Sequence, residues 1–164
     1  FKSPFYDVNG DGLRDIAMIE MKNKPMASRS FIEALLTEGV DWVVTVRLRR
    51  PGRPFQNRPD VNFPIVGLPP AFDENGAMAI VESDFTGDGR PDLLIRRTLS
   101  EMQLYGSRSD KSLFTRKPLL TFTAPAHGPK CITEINGDGI ADLYLTDTAT
   151  GNVILYVSRA TNSK

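Results

Sequence analysis

The sequence predicts an all-β fold of short antiparallel strands in repeated meanders, and three observations predict it. A nine-residue segment occurs three times in 164 residues: DVNGDGLRD from Asp7 to Asp15, DFTGDGRPD from Asp84 to Asp92, and EINGDGIAD from Glu134 to Asp142. Each copy runs directly into a short apolar segment of strand length, DIAMI, DLLIR or DLYLT. Twelve Pro and thirteen Gly are scattered rather than clustered, which suits many turns between many strands.

The elements follow in order around these copies. Before the second, AMAIVES (Ala77 to Ser83) reads as a strand; before the third, KCITE (Lys130 to Glu134) does the same. LLIRR, EMQLYGS and KPLLTFTAP follow the second loop; LYLTD, the turn TATGN and VILYVS follow the third. The unit is strand, loop, strand, short turn, strand, longer link, outer strand. Four short antiparallel strands at a fixed period are the signature of a β-propeller blade. The expectation is therefore about three four-stranded antiparallel blades of a β-propeller, as a partial or assembled ring, in one segment spanning 1-164. Blade 1 covers about 1-70, blade 2 about 77-125 and blade 3 about 130-158.

Asp88 and Asp138 lie 50 residues apart, whereas Asp11 and Asp88 lie 77 apart, so the first repeat carries 27 more. The excess is placed in an insertion at 22-39. There Ser30, Phe31, Ile32 and Glu33 form a capping box ahead of ALLTE, and Gly39 is positioned to end a short helix. An extra strand pair is the alternative. Next, DWVVTVRLRR alternates as a strand, and the Pro-rich stretch to Pro70 is expected to be irregular. Blade 1 begins mid-strand and blade 3 lacks its outer strand. A closed ring needs about 4–8 blades. The chain therefore reads as part of a larger polypeptide, or as an arc completed by other chains or other copies. Its opening at Phe1, without an initiator Met or a leader, reads as a trimmed or excised product.

The recurring loop has the composition of a hard-cation site. Calcium takes roughly 6–8 oxygen ligands, and side chains at alternate positions of a tight turn deliver them. The first copy offers Asp7, Asn9, Asp11, the Leu13 carbonyl and Asp15. The second offers Asp84, Thr86, Asp88, the Arg90 carbonyl and Asp92; the third offers Glu134, Asn136, Asp138, the Ile140 carbonyl and Asp142. Two glycines in the same slots of each copy allow the positive φ that such a turn requires. Up to three Ca²⁺, one per loop, are expected. The first loop is the strongest site. The third is the weakest, because Glu134 lengthens a ligand arm. An acidic hairpin turn is the plain alternative for any single copy, but it does not explain five shared ligand slots in three copies. An EF-hand is excluded: position 12 is Met18, Ile95 or Leu145 rather than an acid, and strands follow the loops rather than helices.

The fifteen loop positions and the trailing DIAMI, DLLIR and DLYLT resemble the FG-GAP/VCBS repeats of calcium-bearing β-propellers, as in integrin α-subunit heads and many secreted bacterial proteins. The resemblance covers about three repeats, most clearly residues 77–158. It implies an ion in the hairpin loop between adjacent strands of one blade, with a structural role. That family builds rings of more blades than are found here.

Charge and composition narrow the function further. Twenty Lys and Arg balance twenty Asp and Glu, but nine of the acids lie in the loops, so three bound Ca²⁺ would take the net charge to +6. No run of 18 or more apolar residues occurs, so no helical membrane span is expected. Such loops need the high free calcium found outside the cytoplasm, hence an extracellular or periplasmic location. Arg47, Arg49, Arg50, Arg53 and Arg58 form a possible anion-binding set, with an anionic polysaccharide as a candidate partner; a solvated strand edge is the alternative, and nucleic acid is disfavoured because no recognition motif accompanies the charge. His127 sits alone in a loop, Cys131 is expected to be a packed, inert thiol, and no nucleophile, phosphate or zinc motif occurs. Trp42, Phe85, Tyr105, Phe122, Tyr144 and Tyr156 are expected to pack within or between blades. The functional expectation is a non-catalytic, calcium-stabilised extracellular binding or assembly module. The alternatives are the non-catalytic propeller portion of a secreted lyase or hydrolase, and a structural subunit of a surface assembly.

Overall fold

A computed structural model describes residues 5–22, 40–67, 79–98, 100–125 and 130–159. Among the described residues, eleven strands are arranged in three antiparallel meanders. The first sheet contains β1 (Phe5–Tyr6), β2 (Asp15–Met21), β3 (Val40–Arg47) and β4 (Val61–Gly67), in that spatial order. The middle sheet contains β5 (Ala79–Ser83), β6 (Asp92–Arg96), β7 (Glu101–Tyr105) and β8 (Leu120–Thr123), again in order. The third sheet contains β9 (Lys130–Thr133), β10 (Asp142–Thr146) and β11 (Val153–Tyr156), so it has three strands, not the four of a full blade, among the described residues.

The protein is all-β, and no helix occurs among the described residues, hence none long and apolar enough to cross a membrane. The insertion expected at 22-39, with its helix, lies outside the described residues apart from Lys22. Three small sheets are present; the described strands do not make a closed ring.

The Pro-rich stretch is not irregular throughout. β4 runs through Pro64, which sits opposite Val43 of β3. β4 is an edge strand, so the missing N–H faces away from the ladder and breaks no pairing. The preceding β3–β4 connection turns on Arg50, Pro51, Gly52 and Arg53, with Gly52 at φ 67 and Arg53 N–H donating to the Arg50 carbonyl at 3.2 Å. Pro followed by a positive-φ Gly is the sequence of a type II turn.

The sheets stack face to face, and β6 shows how. All five of its residues are buried. Successive side chains point to opposite faces, so Leu93 and Ile95 enter a core with Val44, Val46 and Phe63 of the first sheet. Leu94, between them, enters a second core with Leu143 and Leu145 of the third sheet. The middle sheet therefore has no solvent face along β6. Phe63 meets Tyr105 and Phe114 edge-on at 5.4 and 5.5 Å across the first core. Phe122 and Tyr156 meet at 4.5 Å across the second, where the Tyr156 hydroxyl donates to the Thr123 carbonyl at 2.5 Å.

Candidate functional site

The three acidic loops are β1–β2, β5–β6 and β9–β10, so each connects the first two strands of its sheet. Stacking brings neighbouring loops together. A Cβ added to Gly10 would lie 2.8 Å from Arg90 Cγ, which places the second loop against the first. Ala141 N–H donates to the Asp84 carbonyl at 2.8 Å, tying the third loop to the second. Between the first two loops is an open cleft of about 300 Å³ lined by Asp7, Gly10, Asp84 and Arg90.

The paired glycines do what the turn demands. Gly10, Gly12, Gly87, Gly89, Gly137 and Gly139 all have φ between 75 and 83. This conformation points successive loop N–H groups inward, onto the first-position carboxylate. Asp7 accepts from Asp11 N–H at 3.0 Å and Gly12 N–H at 2.8 Å. Asp84 accepts from Gly87 and Gly89 N–H, both at 2.6 Å. Glu134 accepts from Gly137 N–H at 2.5 Å and Asp138 N–H at 3.2 Å. The fifth-position carboxylate accepts from the N–H of position 7 in every loop: Asp11 from Leu13 at 2.8 Å, Asp88 from Arg90 at 2.9 Å, Asp138 from Ile140 at 2.9 Å.

Position 3 distinguishes the loops. Asn9 and Asn136 each donate an amide N–H to the outer oxygen of the fifth-position carboxylate, at 2.9 and 3.0 Å. Thr86 does not reach that oxygen. There Asp88 Oδ2 accepts instead from Arg90 Nη2 at 2.7 Å and from Ser107 Oγ at 2.5 Å. The second loop thus carries its own cation, Arg90, beside the fifth-position carboxylate. Arg90 entered the sequence reading only through its carbonyl; its side chain and Ser107 gave no motif to find.

The ninth-position aspartates differ from the rest. Asp15, Asp92 and Asp142 are fully buried, and each bridges two backbone N–H groups with its two oxygens. One oxygen always takes the N–H of loop position 2: Val8 at 3.0 Å, Phe85 at 2.8 Å, Ile135 at 2.8 Å. The other takes an N–H just past the third strand of the same sheet: Arg49 at 2.7 Å, Ser107 at 2.6 Å, Ser158 at 2.8 Å. These residues strap the loop to the far side of the sheet. Burial pushes the carboxyls of Asp15 and Asp92 above their ordinary range; the paired N–H groups oppose that shift, and the two other acids of the same loop add to it by repulsion.

All side-chain donors at the predicted positions are oxygens, from carboxylates, two amides and a hydroxyl, without thiol or imidazole, which is the chemistry of a hard cation. Among the described residues, however, no group of three His, Cys, Asp or Glu is arranged to hold a metal. The carboxylates of positions 1 and 5 are turned onto loop N–H groups, and those of position 9 onto the strap. Leu13 is half-buried and Ile140 buried at position 7.

Three arginines of the candidate anion-binding set have partners on their own connection. Arg50 pairs with Asp60 at 2.5 Å, Arg49 lies over the Phe55 ring at 5.1 Å, and Arg47 donates to the Asn57 carbonyl at 3.4 Å. Arg53 and Arg58 are exposed on the same connection. This arm spends three of its arginines on its own structure. His127 and the side chain of Cys131 lie outside the described residues. Trp42 is buried and donates from Nε1 to the Gly67 carbonyl at 3.1 Å; Phe85 is buried, and Tyr144 is half-buried on the outer face of the third sheet.

No protein-family model matches the chain, and no curated protein matches it.

Proposed function

We propose that this protein is a non-catalytic binding or assembly module of β-propeller type, stabilised by calcium in its three acidic loops and working outside the cytoplasm. The observation that carries the reading is the repetition of one loop geometry at the same connection of three stacked sheets. Two positive-φ glycines shape the turn in each, and every candidate ligand atom at the five recurring positions is an oxygen. Calcium would neutralise the repulsion among those acids and clamp the loop between two strands. The proposed partners are further blades or other chains that complete the stack.

The test is thermal melting with calcium and with chelator. A site of about 10 µM affinity in about 1 mM calcium adds roughly 2.7 kcal/mol, a readily measured rise in midpoint. Equal midpoints refute calcium stabilisation. Titration calorimetry of Asp11→Ala then tests the assignment: stoichiometry falls by one while the other loops still fill.

A further inference from the structure

The first two sheets carry basic connections beside their acidic loops. The β3–β4 connection, residues 48–60, holds four Arg and one Asp; the β7–β8 connection, residues 106–119, holds two Arg, two Lys and one Asp. They are equivalent segments of neighbouring sheets, each tied near its start to a strap aspartate, through Arg49 N–H or Ser107 N–H. Each carries a net charge of +3.

Both acids of these connections are taken. Asp60 accepts from Leu48 N–H at 2.8 Å and pairs with Arg50. Asp110 pairs with Arg108 at 2.5 Å and accepts from Ser112 N–H at 2.8 Å. Arg53, Arg58, Lys111, Arg116 and Lys117 are exposed, and no carboxylate among the described residues pairs with them.

The cations of the second connection frame a concavity. Arg108, Lys111 and Arg116 line an open cleft of about 650 Å³. Lys111 and Arg116 also line a second cleft, of about 500 Å³, together with residues 60–64 of the first sheet. The clefts share these residues and form one trough across the seam between the sheets, where Phe63 meets Phe114 at 5.5 Å. The core holds the trough in shape. Leu113 is 3 % exposed in the first core and has φ 61, the one positive φ outside glycine among the described residues. A bulky side chain keeps that conformation only where its packing imposes it. Leu113 N–H donates to the Asp110 carbonyl at 3.2 Å and its carbonyl accepts from Arg108 N–H at 2.8 Å, closing the turn that presents Lys111.

The trough suits an anion without bases. Phe63 and Phe114 are buried beneath it, so no ring is free to stack on a nucleobase. The acidic loops of a second copy are poor occupants, because their first-position carboxylates already accept N–H groups of their own loops. Oxyanions spaced along a sugar chain need only spaced cations in an open groove. We infer that this trough binds an acidic polysaccharide, whose sulfate or carboxylate groups meet Lys111 and Arg116, with Arg53 and Arg58 extending the basic surface on the neighbouring connection. This names a partner for the binding module proposed above; it rests on the binding half of that reading and not on calcium.

The test is the anisotropy of labelled dextran sulfate and labelled polygalacturonate in chelator, with the dextran sulfate titration repeated in calcium and neutral dextran as the blank. Binding to either acidic chain is expected, and the tighter one names the oxyanion. Lys111→Ser with Arg116→Ser should weaken it about tenfold, and Arg53→Ser with Arg58→Ser, away from the strained turn, should weaken it severalfold. Lys22→Ser with Arg97→Ser makes the same change of charge at the opposite ends of β2 and β6 and should leave affinity within about twofold. Every variant is checked for an unchanged urea midpoint. Binding that neither basic pair moves, or that the Lys22 and Arg97 control loses equally, overturns the inference. So does an absence of binding to both acidic chains at about 50 mM salt, or a charge-matched single-stranded oligonucleotide that binds as tightly. A calcium-dependent melt without polysaccharide binding sinks this inference and leaves the calcium reading standing; binding without a calcium-dependent melt does the reverse.

Discussion

Removing the strap carboxylate in the middle sheet should destabilise the protein even where no calcium is available. Asp92 is fully buried, and its oxygens accept Phe85 N–H at 2.8 Å and Ser107 N–H at 2.6 Å. A hydrogen bond to a charged group contributes about 1.5–3 kcal/mol, and a buried donor left unpaired costs about 1–3. Burial of the carboxylate opposes this, as the raised pKa of Asp92 records, so the lower end applies to each bond. Asp92→Ala should then cost about 3 kcal/mol, a large part of the roughly 5–15 kcal/mol that holds a domain together. Asp92→Asn keeps the shape but sets an amide N–H against one of the two donors, and should cost about 2 kcal/mol. Asp88→Ala in the same loop removes an exposed carboxylate and should cost about 1 kcal/mol or less. The assay is urea unfolding in chelator followed by the fluorescence of Trp42, the sole Trp, which is buried in the first core. If Asp92→Ala proves no more destabilising than Asp88→Ala under those conditions, the strap is not structural and the ninth position serves the ion alone.

Two further outcomes follow from the contact between loops. Gly10→Ala must hold φ 75 and also displace Arg90, whose Cγ is 2.8 Å from the added carbon, whereas Gly12→Ala at φ 83 meets nothing within 4 Å. Gly12→Ala should cost about 1 kcal/mol from backbone strain; Gly10→Ala should cost more in urea unfolding, with the excess vanishing in an Arg90→Ala background, as a double-mutant cycle would read it. Arg90→Met removes the guanidinium from Asp88, so calorimetry should show calcium binding at the second loop tightened about tenfold, roughly 1.4 kcal/mol, with the first and third loops unchanged; unaltered affinity would mean the guanidinium does not compete with the ion.

The legible parts of this protein were the local ones. DLLIR and DLYLT declare strands because five apolar-rich residues follow a turn that only glycine can make, and both are strands. Alternation could not reveal that Leu93 and Ile95 serve one sheet while Leu94 serves another, because a strand buried on both faces reads as a continuous apolar run. β4 was hidden by Pro64, whose cost depends on which side of the strand is paired, a property of the neighbours and not of the segment. In the loops, the residue types pointed to five oxygen donors but could not separate their tasks. The partners of the strap lie 15 and 16 residues beyond Asp92 and Asp142, but 34 beyond Asp15, because the first sheet carries the extra chain. A backbone donor at so variable a distance leaves no mark in the sequence.

The strap also explains why the ninth position is aspartate in all three copies, when burying a carboxylate is costly. Two N–H groups from different segments must be met at one point. An asparagine offers one acceptor oxygen and turns a donor toward the second N–H; a carboxylate offers two acceptors on one short arm. The negative charge that this choice buries is then repelled by the acids at positions 1 and 5, as the raised pKa values of Asp15 and Asp92 register. Shortening the arm to serine would end the repulsion but would no longer span both donors. On the proposed reading, a divalent cation among the outer oxygens offsets that repulsion without disturbing the N–H bonds. The ion and the strap then act on one carboxylate from opposite sides. Calcium bound at the exposed rim would, on that reading, stabilise the buried end of each sheet, and through the stacked cores its neighbour as well.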